Sequence, residues 1–277
     1  MKTMIPIIAA LAMLSGCALP PNKSQLVTLS STLQAAPEKG FVYETDTLRL
    51  SYQFFSEGGT VHFSIENKLA RPLYIDWKRS SFIIGQKKLD YWYDASSINL
   101  TGTAYTSGYG RYLRTSSSTS VSLTGSVNKE NAVDFIPPGT KIEKDQFVLV
   151  PGSALILPGQ YLTEKVASTD LSRRKPVDVQ TYQYTVDTSP LQFRNYLTLS
   201  TDKDFRSEFV LDNKFWASGV KVMPFQQLTG GSFYDYEFKN NNLSTLKSFP
   251  YFRSDAFFIH YSPNSYSSAG TLDPAPR

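Results

Sequence analysis

The sequence predicts a mostly β protein, an antiparallel β-sandwich interrupted by one long Ser/Thr-rich insertion. Three observations carry this. Apolar and polar residues alternate with period two over many short runs from Phe41 onward. Turn residues bound those runs at the spacing of about 8–12 residues seen in sandwiches. Aromatics reach 14%, with 18 Phe and 17 Tyr, residue types enriched in strands. A length of 277 residues allows one large domain or two small ones.

Taken in order, Leu48, Leu50, Tyr52 and Phe54 alternate with Arg49, Ser51 and Gln53. Glu57-Gly58-Gly59 supplies a turn that tolerates positive φ. Val61, Phe63 and Ile65 then alternate with His62, Ser64 and Glu66, completing a hairpin with one dry face and one wet face. Pro72 opens a strand in which Leu73, Ile75 and Trp77 share a side. Phe82–Ile84, the Gly85-Gln86 turn and Leu89–Tyr93 form a second hairpin, with Trp92 opposite Tyr91 and Tyr93. Residues 101–127 break the pattern. Thirteen of these 27 residues are Ser or Thr, which predicts a flexible insertion. Tyr105, Tyr109 and Tyr112, with Arg111 and Arg114, are its candidate binding side chains.

Strands resume after Pro137-Pro138-Gly139, at 147–150, 179–186, 193–200 and 205–211. The polar stretch 162–178 has room for one helical turn. Asp212-Asn213 reads as a turn before a strand at 215–222, and 231–239 reads as another strand. Phe257, Ile259 and Tyr261 alternate near the end, and 263–277 reads as a frayed tail.

The first residues carry an address. Lys2 precedes an apolar run from Met4 to Leu14, too short for the ~20 residues of a spanning helix but suited to a secretory signal. Leu14-Ser15-Gly16-Cys17 resembles the bacterial lipoprotein lipobox. The resemblance implies a diacylglyceryl thioether at Cys17, cleavage before it, and acylation of the new amine. Two or three acyl chains hold a protein on a bilayer firmly where one does not. Residues 1–16 are then a signal peptide and 17–40 a lipidated cysteine with a flexible tether, free of aromatics and carrying Pro20, Pro21 and Pro37. A sandwich domain follows over 41–262.

The run from Gly58 to Ile84, GGTVHFSIENKLARPLYIDWKRSSFII, resembles the opening strands of immunoglobulin-like modules in bacterial envelope proteins. Together with FRSEFVLDNKFWASGVKVM it is similar, in patches across 41–225, to uncharacterised envelope lipoproteins of the Bacteroidota. The resemblance implies an immunoglobulin-like sandwich on a lipid anchor and assigns no activity. In that phylum, surface export is associated with acidic residues after the lipidated cysteine. Ala18-Leu19-Pro20-Pro21-Asn22-Lys23 has none, which implies an outer-membrane protein facing the periplasm. Asp46-Thr47-Leu48 matches the phylum's short O-glycosylation pattern.

Chemistry is sparse. One cysteine precludes an intramolecular disulfide, and two histidines leave little for a metal; no cofactor is expected. Loss of Lys2 with the leader leaves 27 basic against 24 acidic residues, scattered along the chain, which argues against nucleic acid. No Gly-x-Ser-x-Gly elbow or phosphate-binding glycine loop is present. His62 and His260 read as ordinary strand residues. Asp202, Asp204, Glu208 and Asp212 cluster, and on a strand Asp202 and Asp204 would share a face about 6–7 Å apart, a spacing available to glycoside hydrolysis. Tyr91-Trp92-Tyr93 and Phe233-Tyr234-Asp235-Tyr236 are candidate stacking platforms for a glycan.

The expectation is a non-enzymatic, lipid-anchored envelope module. Its partners are the membrane, through Cys17, and an envelope protein or glycan. A carbohydrate-binding or carbohydrate-cleaving lipoprotein is the alternative. An outer-membrane barrel is disfavoured by the lipobox and the scattered Pro-Gly turns.

Overall fold

The computed structural model describes residues 22–36, 40–93, 97–108, 117–128, 131–171, 175–230 and 246–262. These form β1 (Lys23–Ser31), β2 (Gln34–Ala36), β3 (Gly40–Glu44), β4 (Leu48–Gln53), β5 (Thr60–Asn67), β6 (Leu73–Ile84), β7 (Lys87–Asp90), β8 (Ser97–Gly108) and β9 (Ser117–Asn128). Then follow β10 (Val133–Ile136), β11 (Lys141–Val148), β12 (Leu162–Val166), β13 (Val177–Gln183), β14 (Gln192–Ser200), β15 (Glu208–Pro224), the short helix α1 (Phe225–Thr229) and β16 (Ala256–Tyr261). The protein is mostly β, and its named strands pair antiparallel.

One sheet runs β10-β6-β14-β15-β1-β16, with β13 also on β15, β12 on β13 and β7 on β6. A second runs β11-β5-β4-β3-β2. The two face each other across a shared apolar core. Phe215 of β15 meets Tyr52 of β4 with ring centroids 4.9 Å apart, and meets Phe41 and Phe54 at 5.4 Å each. The alternation that predicts the first hairpin is what supplies this layer: Leu48, Leu50, Tyr52, Val61, Phe63 and Ile65 are all buried, and Tyr52 pairs with Phe63 in register. Gly40 opens β3 at φ +80°, where a Cβ would lie 1.8 Å from the Tyr52 carbonyl oxygen; only glycine fits. In a smaller cluster Phe225 and Leu228 of α1 join Leu26, Phe55, Phe249 and Phe258.

Four expectations are corrected. The tether over 17–40 contains β1, which lies between β15 and β16 and is buried on both faces. Its polar composition hid it. Ser24 bonds the Met223 carbonyl, and Gln25 exchanges two hydrogen bonds with the Leu155 backbone, so polar side chains sit in the sheet at little cost. The polar stretch 162–178 opens with a strand, β12, and its described residues include no helical turn. Asp212-Asn213 is no turn: β15 runs through it for 17 residues, with Asn213 turned inward and Asp212 paired to Arg194. Residues 101–127 fall largely within an antiparallel ribbon of two 12-residue strands, β8 and β9. The strand expected at 231–239 and the tail 263–277 lie outside the described residues.

Candidate functional site

A buried polar network joins the two sheets. Asn195 on β14 and Asn213 on β15 are register partners, and both donate to the Tyr52 hydroxyl oxygen, at 3.0 and 2.8 Å. The Tyr91 hydroxyl donates to Asn195 Oδ1 at 2.9 Å. Burial pushes both phenols well above their ordinary range, so both stay protonated. Tyr91 is therefore a core residue, 1% exposed. β7 ends at Asp90, so the alternation expected through Tyr91-Trp92-Tyr93 stops there. Trp92 is half-buried with the Lys78 ammonium 5.6 Å from its ring, and Tyr93 is 58% exposed. The three do not form one stacking platform.

The outer face of the large sheet carries a connected cluster of charged side chains. β6 bulges between Asp76 and Ser81, and the Ser80 hydroxyl bridges the Asp76 carbonyl and the Thr198 amide. The bulge turns Arg79 outward, where its guanidinium donates to Asp76 at 2.7 Å and to Glu208 at 2.5 Å and stacks on Phe205 at 4.9 Å. Both carboxylates hold that guanidinium more firmly protonated than usual. Beside it, Phe135 on edge strand β10 is 61% exposed, with its ring 6.5 Å from Tyr74. Register aligns Val133, Asp76, Thr198 and Val210 across the same face. No contiguous sequence pattern marks this strip, because its members come from four strands. The period-two exposure of Val133 and Phe135 was its one local signal.

The acidic cluster does not make a carboxylate pair. Asp202 sits in a turn, where its side chain accepts from the Asp204 and Arg206 amides at 3.4 and 3.1 Å, next to Phe205 at φ 56°. Asp204 pairs with Arg206, and Glu208 with Arg79. These carboxylates organise a turn and a bulge. His62 lies on the wet face of the smaller sheet with Nδ1 2.5 Å from Asp145. His260 packs on the Phe225 ring at 4.2 Å, and burial lowers its proton affinity. Among the described residues no three His, Cys, Asp or Glu side chains converge on a metal-sized site. Thr47 lies half-buried in the turn between β3 and β4.

Tyr105 lies on β8 at register with Ser120. Cys17, Tyr109, Tyr112 and the platform at 233–236 lie outside the described residues. Among the described residues no helix is long and apolar enough to cross a membrane. Compared with protein-family models, with curated proteins and with solved structures, the chain matches none.

Proposed function

We propose that this protein is a lipid-anchored envelope module of the Bacteroidota lipoprotein type, held on the outer membrane through Cys17 and facing the periplasm. Its body is an immunoglobulin-like sandwich that docks an envelope protein and performs no catalysis. The observation that carries the reading is Cys17 itself: the sole cysteine, directly behind a secretory apolar run and a Leu-Ser-Gly tripeptide. The position of β1 supports a close anchor. Only six peptide steps separate Cys17 from Lys23, so the sheet begins within about 20 Å of the acylated residue. The Phe135–Tyr74 strip on an edge strand is the surface that suits a protein partner, since apolar rings beside fixed charges make an anchored and oriented contact.

Fractionation tests the anchor. In cells of the native type, the intact chain is expected in the membrane pellet and a Cys17→Ala chain in the soluble fraction. A Cys17→Ala chain that stays in the pellet after carbonate washing contradicts the reading.

A further inference from the structure

Among the described residues the three most exposed large apolar side chains are Leu171, Ile156 and Leu162, at 97%, 76% and 70%. All three lie in the stretch between β11 and β13, and that stretch is tied to the end of the body where β1 begins. Ile156 follows Leu155, whose backbone N–H and C=O both bond the Gln25 side chain. Leu162 opens β12 and aligns through Thr181 and Lys221 with Leu26. Leu171 follows closely on Thr169, whose amide and hydroxyl both donate to Gln227 of α1. At the start of that helix the Phe225 amide donates to the Asn22 carbonyl. Leu26 lies about 10 Å along β1 from Lys23, and Gln25 lies nearer still, so the three side chains sit close to one level.

We propose that this end of the body lies against the bilayer, with Leu171, Ile156 and Leu162 dipping into the boundary between headgroups and acyl chains. The contact rests on the Cys17 anchor of the proposed function. Cys17 lies within about 20 Å of Lys23, so the acyl chains enter the bilayer beside this end and no other. Apolar surface at a membrane interface is buried by about 5–10 Å, which matches the spread of the three along β1. A lipid surface suits them better than a folded partner does. They come from separate places: the connection that crosses from the smaller sheet to the larger, the first residue of β12, and the loop beside α1. A folded partner buries one contiguous patch, whereas a fluid bilayer accepts separate apolar tips at one level. Exposed charges of both signs stand at the same end, Lys23, Lys175 and Lys221 with Glu164 and Asp178. The contact is therefore apolar rather than electrostatic, and salt does not release it.

The contact fixes how the body stands. Lys23 pairs with Pro224 at one end of β15. Val133 aligns through Asp76 and Thr198 with Val210, near the other end. Val210 and Pro224 are about 45 Å apart along the strand. With the Lys23 end on the membrane, β15 rises from it and carries the Phe135–Tyr74 strip away from the lipid, where a protein partner has access.

The test uses the full acylated chain in vesicles of phosphatidylethanolamine and phosphatidylglycerol. Acylation occupies the Cys17 sulfur, so one added cysteine takes an environment-sensitive fluorophore: Ile156→Cys, Leu162→Cys, Leu171→Cys or, at the far end, Val133→Cys. All four positions are exposed, so each variant is expected to keep the parent's thermal transition. Nitroxide lipids are expected to quench the label at 156, 162 and 171 and to leave 133 bright, in low and high salt alike. Quenching that high salt abolishes means an electrostatic approach and overturns the apolar contact. In a Cys17→Ala chain free in water the three labels are expected to emit as in solvent; emission already shifted to the blue there means that protein covers these side chains, and overturns the proposal. An acylated, vesicle-bound chain quenched at none of the three sites keeps the anchor and overturns the contact. A native Cys17 found bare by mass spectrometry, with the three sites still quenched when the Cys17→Ala chain meets excess vesicles, removes the anchor and keeps the contact; a bare Cys17 with no quenching removes both.

Discussion

A chain shortened to begin at Gly40 is expected to lose its cooperative unfolding transition, although the residues removed include the stretch that composition marks as a tether. β1 lies between β15 and β16, and both lose their backbone partner along its length. Leu26, Val27 and Leu29 are at most 3% exposed. Burying each contributes about 1.5–3 kcal/mol, so their loss alone removes roughly 5–9 kcal/mol. Domain stabilities are about 5–15 kcal/mol, and the exposed hydrogen-bonding edges add to the loss. Calorimetry is the check, with a chain beginning at Asn22 as the comparison. The Asn22 chain retains a sharp endotherm and the Gly40 chain shows none. Equal endotherms would mean that β1 is dispensable.

Tyr52→Phe carries the second large effect. The substitution keeps the ring and removes the oxygen that accepts from Asn195 and Asn213, which are 0% and 5% exposed. Each stranded buried donor costs about 1–3 kcal/mol, so the expected loss is about 2–6 kcal/mol. Tyr91→Phe strands only the Asn195 oxygen, which is expected to cost about 1–2 kcal/mol. Guanidinium unfolding separates them: both midpoints fall at unchanged slope, Tyr52→Phe further. A Tyr52→Phe midpoint within error of the parent would show that the two amides find other partners.

Strands whose faces differ in polarity were legible. β4 and β5 put apolar residues at every second position, and the structure buries those residues. β6 and β7 followed from the Gly85-Gln86 turn between two apolar runs. Legibility failed where buried side chains are polar. β1 carries Ser24 and Gln25 into the sheet, and β15 carries Asn213 to the Tyr52 hydroxyl; each looks like loop chemistry until its partner, more than 100 residues away, is known. The ribbon failed for another reason. Counting Ser and Thr over 101–127 hides that they alternate with other residues over 101–104 and 120–127. Of the site residues, Tyr91 was read for its ring, whereas its hydroxyl and burial decide its role. The Arg79 cluster had no sequence signal, because a bulge in β6 brings it together with Glu208 and Phe205.

The proposed function stands on what is attached to one sulfur atom. Intact-mass and peptide mass spectrometry of the protein extracted from its native membrane measures that directly. The expected result is an N-terminal peptide that starts at Cys17 and carries a diacylglyceryl group on sulfur, with or without an amide-linked acyl chain. An N-terminal peptide that retains Met1 to Gly16 ahead of an unmodified Cys17 thiol would contradict it.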